Sequence, residues 1–361
     1  LSLSDSQLGL LGGLAFAVFY TFLGIPIAAL ADRRSRVKIL AVSMVIWSAM
    51  TALCGLATNF WMLLLARIGV GVGEAGASPP SHSLISDYFP IDKRATALSI
   101  YALGIPFGTM IGSYVGGWGA DELGWRYTFF LVGIPGIFVA MIIALTLREP
   151  PRGLSDVKPA QSAAQKAAAE AAPKPEAPQV KEVLNFLWAK VSFRHLSFAA
   201  GLHAFVSYGA STWNAPFFTR IHSMSSTDLG AALALVAGVG AIGTFAGGYL
   251  SDKLSDRTGD KRWYFWVPGI ATIIMVPFQL VAYLYDGTTA AIASLCMVAI
   301  MGNVYLGPSF AMTQALVSLR MRAVASAILL FVLNLIGMGL GPYFVGILSD
   351  LFAPTFGIES L

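Results

Sequence analysis

Long apolar stretches alternate with short polar turns along the whole chain, and this alternation predicts its secondary structure. A helix needs roughly 20 mainly apolar residues to cross a bilayer, and ten stretches are of about that length. A backbone inside a membrane must satisfy its own hydrogen bonds, and no period-two pattern indicates a barrel, so these stretches are predicted to be helices. Their predicted bounds are 7–31, 39–57, 60–86, 95–118, 125–147, 195–218, 228–250, 263–285, 289–317 and 323–348.

Composition strengthens the membrane interpretation. Hydrophobic residues make up 56% of the 361 residues and charged residues only 12%, whereas a soluble domain carries about a quarter charged residues. The two cysteines, Cys54 and Cys296, lie inside apolar stretches and His82 is isolated, so neither a disulfide framework, a metal site nor a cofactor is predicted.

Positive charge is confined to a few loops. Of the 23 Lys and Arg residues, all but three lie in five basic segments, which alternate with loops that almost lack them. Because basic loops stay on the cytoplasmic side, this pattern predicts a multi-pass protein of the plasma or inner membrane. It also accounts for the net charge of +4 without any nucleic-acid partner.

A charged turn occurs twice, at 32–38 and at 252–262, and indicates a bundle built from two related halves. The repeat predicts a first bundle over 1–149, a cytoplasmic linker rich in Ala, Pro and Lys over 150–192, and a second bundle over 193–361.

The phase of the repeat assigns a number to each span. The stretch 4–9 resembles 225–230, and 108–113 corresponds to 337–342. In the second half a whole span precedes the stretch 225–230, whereas in this chain no span precedes 4–9. In the first half a span follows 108–113, whereas in this chain no further span follows the one that contains 337–342. We therefore expect two pseudo-symmetric six-helix bundles of which this chain contains helices 2–11, with the first and last helices outside it.

The two charged turns are predicted to act as a latch on the cytoplasmic face. Asp32, Arg33 and Arg36 belong to the first copy, and Asp252 and Lys253 belong to the second. A carboxylate at a helix end with flanking cations can bind a neighbouring helix end in one conformation and release it in another. The alternative is ordinary positive-inside topology with no latch.

Glu74 is the strongest candidate for chemistry, because it lies inside a predicted span where an unpaired charge costs several kcal/mol. Arg67 lies two helical turns earlier on nearly the same face, roughly 10 Å away. Glu74 is predicted to carry a proton, and Arg67 to bind an anionic group or belong to a charge network. The alternatives are a structural carboxylate and a latch. The stretch 71–76 also fits G-x-G-x-x-G, but without a strand before it no dinucleotide site is predicted.

Other polar residues on second-half spans are predicted to line a cavity, or else to hydrogen-bond between helices. They are His203, Tyr208, Trp213, Asn214, Asn303, Tyr305 and Asn334. No nucleophile–base pair is evident, so the chain is not predicted to be an enzyme.

Several motifs resemble those of the major facilitator superfamily. The stretch 28–36 resembles the superfamily's loop signature between helices 2 and 3, with Ala28 and Ser35 in place of the usual glycines. The stretch 67–73 resembles its helix-4 motif, and 108–117 its helix-5 motif without the usual proline.

A narrower resemblance is to the Spinster-like lysolipid transporters, carried by the stretches 8–16, 67–75, 87–90 and 97–101. It implies a twelve-helix, all-helical membrane fold with alternating access, and it implies that Glu74 and Arg67 occupy the protonation and charge-network positions. We therefore expect a monomeric, proton-coupled secondary active transporter of an amphipathic lipid, such as sphingosine phosphate or a lysophospholipid. The alternatives are a proton-coupled drug or organic-anion carrier and a non-transporting lipid receptor or scaffold.

Overall fold

The computed structural model describes residues 1, 3–31, 33–152, 154, 180–318 and 321–357. Within these ranges every regular element is helical. The helices up to Thr146, which we call the first half, are α1 (Asp5–Gly12), α2 (Leu14–Ala31), α3 (Arg36–Cys54), α4 (Phe60–Glu74), α5 (Ser78–Tyr88), α6 (Ile91–Ala102), α7 (Gly104–Glu122) and α8 (Trp125–Thr146).

The later helices begin with α9 (Val180–Ala189), and those after it form the second half. These are α10 (Val191–Arg220), α11 (Ser226–Thr258), α12 (Trp263–Leu284), α13 (Thr288–Gly302), α14 (Leu306–Ala315), α15 (Arg322–Val332), a π-helical segment (Leu333–Leu340) and α16 (Gly341–Phe356). Helices occupy all ten predicted spans, but four spans are broken near their middle. The breaks fall at Gly13, at 75–77, at Leu103 and at 303–305.

Eight helical segments of the described chain are long and apolar enough to cross a membrane. The other two predicted spans are helical but less apolar, since α7 is rich in glycine and α10 contains Arg194, His195 and His203. Many large apolar side chains point outward, among them Leu145 (85% exposed), Leu284 (76%) and Ile273 (73%). Such a surface would aggregate in water, but it suits contact with lipid chains.

Small residues let helices of one half pack at backbone distance. A Cβ atom added at Gly243 would lie 1.8 Å from the Ile300 carbonyl oxygen, and one at Gly247 would lie 2.1 Å from that of Val304. Helix α11 therefore packs against the end of α13 at two successive turns. Close backbone approach of this kind holds membrane helices together, since lipid provides no hydrophobic driving force between them.

The predicted linker over 150–192 contains a helix, α9, at its end. Val183 and Leu187, one turn apart, are fully buried against Phe193, Val317 and Ala325 of the second half. The interpretation of this segment from its composition missed α9, because the short apolar pattern follows a long polar stretch. The remainder of the predicted linker, 155–179, lies outside the described residues.

Successive spans run in opposite directions, so the loops fall on two faces. We call the face with the five basic segments the basic face. The opposite one, which carries the loops near 58, 123, 223 and 286, is the distal face.

Candidate functional site

The two halves meet from the distal face to the middle of the molecule. Helix α1 packs on α16 so closely that a Cβ atom at Gly9 would lie 2.4 Å from the Pro342 carbonyl oxygen. Further inward, the rings of Phe22 and Phe331 meet edge to face with centroids 5.4 Å apart. Beyond them toward the basic face, a Cβ atom placed on Gly24 would have no described atom within 4 Å apart from the adjoining backbone of α2.

A second contact between the halves joins α7 to α11 and also runs from the distal face toward the middle of the molecule. A Cβ atom on Gly117 of α7 would lie 2.1 Å from the Ser226 carbonyl oxygen of α11, and this contact extends inward to Met110 beside Gly238. Toward the basic face, Phe107 and Phe245 are exposed. The described contacts between the halves therefore lie from the distal face to the middle, and we call the space between the halves on the basic side of these contacts the cleft.

Charged side chains close the distal face. Arg220, at the end of α10, donates to both carboxylate oxygens of Asp5 at 2.7 and 2.6 Å. Ser349 of α16 donates to the same carboxylate at 2.7 Å. A bidentate pair between a guanidinium and a carboxylate is among the stronger polar contacts, and this one joins the first half to the second.

Two further carboxylates cap helices of the opposite half. Asp350 of α16 accepts from the backbone N–H groups of Asp5 (3.0 Å) and Ser6 (2.8 Å), at the start of α1. Asp121 of α7 accepts from those of Ser226 (3.3 Å) and Thr227 (2.7 Å), at the start of α11. Helix N-termini have unpaired N–H groups and partial positive charge, so a carboxylate binds well there. The two caps are related by the internal repeat, and each half supplies one.

Removing both caps should open the distal face. In Asp121→Ala combined with Asp350→Ala, the starts of α1 and α11 each lose the carboxylate that joins them to the opposite half. The equilibrium should then shift toward the form in which the halves separate at the distal face. Distance distributions between spin labels at Thr58 and Asp286, exposed on the distal loops of the two halves, should gain a longer component.

Asp228→Ala is the matched control, because the Asp228 carboxylate bonds Ser225 within the first turn of its own helix. It should leave the label distances unchanged. The caps would not hold the halves together if the double variant and this control gave the same distribution.

The cleft contains Glu74 and Arg67, on one uninterrupted helix as the spacing predicted. Arg67 Nε donates to the Leu11 carbonyl oxygen at 3.2 Å, and no described residue accepts a hydrogen bond from its two terminal amino groups. Glu74 is the last residue of α4 and is half-buried. Its carboxylate forms neither a hydrogen bond nor an ion pair with any residue of the described ranges. It interacts electrostatically with Arg67 and with Tyr20 of α2.

A row of aromatic side chains leads from Glu74 to the second half. Tyr20 lies near Tyr208, and Tyr208 lies near Tyr305. The Tyr305 ring lies 4.2 Å from the ring of His203, centroid to centroid. We call these four residues the aromatic row. Sequence analysis selected His203, Tyr208 and Tyr305, but it missed Tyr20, because a tyrosine in an apolar stretch gives no local signal of facing a cleft.

His203 is held firmly at the end of this row. One of its ring nitrogens, Nε2, lies 2.8 Å from the Gly302 carbonyl oxygen, and Nδ1 lies 3.4 Å from the Thr272 hydroxyl. These contacts join α10 to α12 and α13 and fix the orientation of the imidazole.

Three of the four other predicted lining residues form a hydrogen bond within the second half. Trp213 is buried and donates to the Pro342 carbonyl oxygen at 2.8 Å, while Asn214 accepts from the Tyr283 hydroxyl at 2.8 Å. Asn303 donates to the Ala299 carbonyl oxygen, one turn back in its own helix. Asn334 is buried in the π-helical segment. The hydrogen bonds of Trp213 and Asn214 join two helices, whereas that of Asn303 lies along its own helix. A role for these four residues in lining the cleft stays a prediction.

The first charged turn forms a buried network around Arg36, which is 1% exposed. Its guanidinium donates to Glu149 (2.7 Å), to the Ser83 hydroxyl (2.9 Å), to the Pro150 carbonyl oxygen (2.9 Å) and to Asp87. The network therefore joins the start of α3 to the ends of α5 and α8. Sequence analysis missed both carboxylate partners, although each lies at the end of a span on the basic face.

Glu149 lies beyond the end of α8 and remains charged in this network. Its partial burial opposes ionisation, but the N–H group of Val37, the guanidinium of Arg36 and the hydroxyl of Ser35 together hold its pKa below the usual value. At the N-terminus of α3, the same carboxylate also meets the positive end of the helix dipole.

The other predicted latch residues that the structure describes do not join this network. Asp32 lies outside the described residues, and Arg33 is exposed. In the second turn, Asp252 accepts from the Tyr264 hydroxyl at 2.6 Å, and the Lys253 ammonium lies 5.3 Å from the centre of the Tyr249 ring. The described contacts of both turns lie within one half, so a latch that switches with conformation stays a prediction.

Comparison with known proteins agrees with this architecture. The chain matches the model of the Major Facilitator Superfamily over residues 1–354 and belongs to that superfamily, so it is a membrane transporter rather than an enzyme. A crystal structure of a bacterial homolog to the human lysosomal transporter Spinster, inward-facing and unoccupied, is 40% identical to it with a TM-score of 0.86. The match covers 98% of this chain and 77% of that one. Within the superfamily the chain is a Spinster-like protein, which confirms the resemblance.

Two curated relatives carry further names. An MFS-type efflux pump of Mycolicibacterium smegmatis is 31% identical over 100% of this chain and 80% of its own length. The probable sphingolipid transporter spinster homolog 1 of Arabidopsis thaliana is 27% identical over 81% of this chain and 61% of its own length.

Proposed function

We propose that the protein is a proton-coupled secondary active transporter of an amphipathic lipid, such as sphingosine phosphate or a lysophospholipid. It works as a monomer by alternating access in a plasma or inner membrane, with the basic face and the 150–192 segment in the cytoplasm. The single observation that carries the proposal is the carboxylate of Glu74, which lies beside the cleft and has no hydrogen-bond or ion-pair partner among the described residues.

Glu74 suits a group that takes up and releases a proton. A carboxylate with no described ion-pair partner gains little from staying charged inside a membrane. As the last residue of α4, it also lies at the negative end of the helix dipole, which favours uptake of a proton. The positive charge of Arg67, two turns earlier, favours the ionised form of Glu74 and so opposes its protonation. An anionic group bound to Arg67 would offset that charge and make protonation of Glu74 easier. Substrate and proton would then favour each other's binding.

The walls of the cleft suit a ligand with an anionic head and an apolar tail. The two terminal amino groups of Arg67, which no described residue accepts from, can bind a phosphate bidentately, and the aromatic row presents hydroxyls on otherwise apolar rings. The name of the Arabidopsis relative gives sphingolipid as its probable substrate, which supports the same class of ligand here.

Transport by purified protein in liposomes tests the proposal. We expect labelled sphingosine phosphate or lysophosphatidic acid to cross the bilayer faster with an imposed pH gradient than without one. If the protein binds either lipid and moves neither under any gradient, a receptor or scaffold is the better description.

Arg67→Ala is expected to reduce transport of lysophosphatidic acid about tenfold more than that of zwitterionic lysophosphatidylcholine. The phosphate monoester of the first lipid offers Arg67 one more charged oxygen than the phosphodiester of the second, and a charged hydrogen bond is worth about 1.5–3 kcal/mol. Initial rates for the two lipids in the same liposomes measure this ratio. Arg67→Lys keeps the charge and should recover part of the preference. Equal losses for both lipids would show that Arg67 serves only to hold the Leu11 carbonyl.

A drug carrier is the second candidate, and the efflux pump of M. smegmatis favours it because the match extends over this whole chain. The same cleft would then accept amphipathic cations through the aromatic row. Faster transport of a lipophilic cation than of either lysolipid would favour this alternative.

A further inference from the structure

We infer that α9 is an interfacial helix that binds the anionic headgroup layer of the membrane on the basic face. The inference concerns a surface away from the cleft, and it does not rest on the proposed substrate or on proton coupling.

The position of α9 places it at the membrane surface. A single residue, Lys190, separates it from α10, and the extended backbone of Lys190 turns the chain between the two helices. One face of α9, formed by Val183 and Leu187, packs on the second half beside Val317 at the end of a neighbouring span. Since α10 enters the bilayer directly after this turn, α9 lies at the level where headgroups begin.

A second face of α9 is apolar and exposed. Val180, Leu184 and Trp188 follow one another at four-residue spacing and are 54%, 40% and 48% exposed. On a helix this stripe lies next to the buried face, while Asn185 lies on the polar side away from it. One face of α9 packs on protein, its apolar stripe needs contact with lipid, and its polar face needs contact with water. All three contacts are available together only at an interface between water and lipid. Tryptophan at the rim of that stripe is typical of the headgroup level.

The charge around this stripe selects the type of lipid. Lys181, Arg194 and Arg322 are exposed cations on α9 and on the ends of the two helices it contacts, α10 and α15, and Glu182 is the one carboxylate on α9. The Lys190 ammonium lies 4.8 Å from the centre of the Phe186 ring. Each cation near an anionic surface contributes about 1 kcal/mol of attraction, so phosphatidylglycerol or a similar anionic lipid should be preferred over a zwitterionic one.

Site-directed fluorescence on the full chain in proteoliposomes tests this. In a background of Cys54→Ala and Cys296→Ala, a bimane label is attached at Leu184→Cys or, as the matched control on the polar side, at Asn185→Cys. We expect brominated lipids to quench the label at 184 and aqueous iodide to quench the label at 185. At equal mole fraction, brominated phosphatidylglycerol should quench the label at 184 about fivefold more strongly than brominated phosphatidylcholine, which corresponds to about 1 kcal/mol.

Reversing charge should remove the preference and leave the helix in place. With Lys181→Glu and Arg194→Glu, the quenching ratio of the two lipids should fall to about one, whereas Lys261→Glu, an exposed cation in the loop between α11 and α12, should not change it. Three results would overturn the inference: iodide reaching both labels equally, the label at 184 being shielded from lipid and iodide alike, or equal quenching by both lipids in the unreversed protein. Since no transport is measured, these outcomes are independent of the proposed function.

Discussion

Replacing Glu74 by Gln is expected to make the conformational equilibrium independent of pH. In the parent protein, each pH unit across the titration of one coupled carboxyl group can shift the equilibrium between inward-open and outward-open forms up to tenfold, or about 1.4 kcal/mol. Gln keeps the size and hydrogen-bonding capacity of the protonated side chain but cannot release a proton. Distances between spin labels at Thr58 and Asp286, recorded from pH 5 to 8, measure the shift.

The same variant should lose the stimulation of transport by a pH gradient while it still exchanges substrate across the membrane. Glu122→Gln is the matched control, since that carboxylate is exposed at the distal end of α7 and should leave the pH profile intact. A Glu74→Gln protein with the parent pH profile would remove Glu74 as the proton site, and the transporter would then need another ionisable group.

Arg36→Ala is expected to be the most destabilising single change discussed for this chain. It removes the guanidinium from the buried carboxylate of Asp87 and from Glu149, and removing one member of a buried ion pair costs about 3–5 kcal/mol. At about 2–4 °C per kcal/mol for a domain of this size, the midpoint of thermal unfolding should fall by roughly 10 °C. Intrinsic fluorescence during a thermal ramp in detergent records the shift.

Two variants control for this result. Arg33→Ala removes an exposed guanidinium and should change stability by less than about 0.5 kcal/mol. Arg36→Lys keeps the charge but cannot reproduce the fork of donors, so it should recover only part of the loss. If Arg36→Ala melts with the parent protein, the network does not stabilise the first half.

The spacing of Arg67 and Glu74 was readable from the sequence because both lie on one helix, where position along the chain fixes the angle between side chains. The partners of Arg36 could not be identified from the sequence. Asp87 and Glu149 lie 51 and 113 residues away along the chain. The pairing of a carboxylate with a given guanidinium depends on the tilt and the rotation of three separate helices. The hydrophobic pattern of the sequence determines neither the tilt nor the rotation.

The contacts at the distal face could not be predicted from the sequence either. The repeat already related 4–9 to 225–230, but the carboxylates that cap these helix starts, Asp350 and Asp121, lie on other helices and in the opposite halves. Nothing local distinguishes them from any other acidic residue near the end of a span. The aromatic row joins the halves in the same way, through residues that approach each other only after the bundles have packed.

The sequence by itself therefore determined the spans, the basic face, the two-fold repeat and the family, because these depend on the composition and order of residues within single segments. Only the tertiary structure decided which side of the cleft is closed, which charges pair and which tyrosines face Glu74. Those features depend on how helices are turned toward one another, and in a membrane that is set by backbone contact and hydrogen bonding between helices rather than by hydrophobicity.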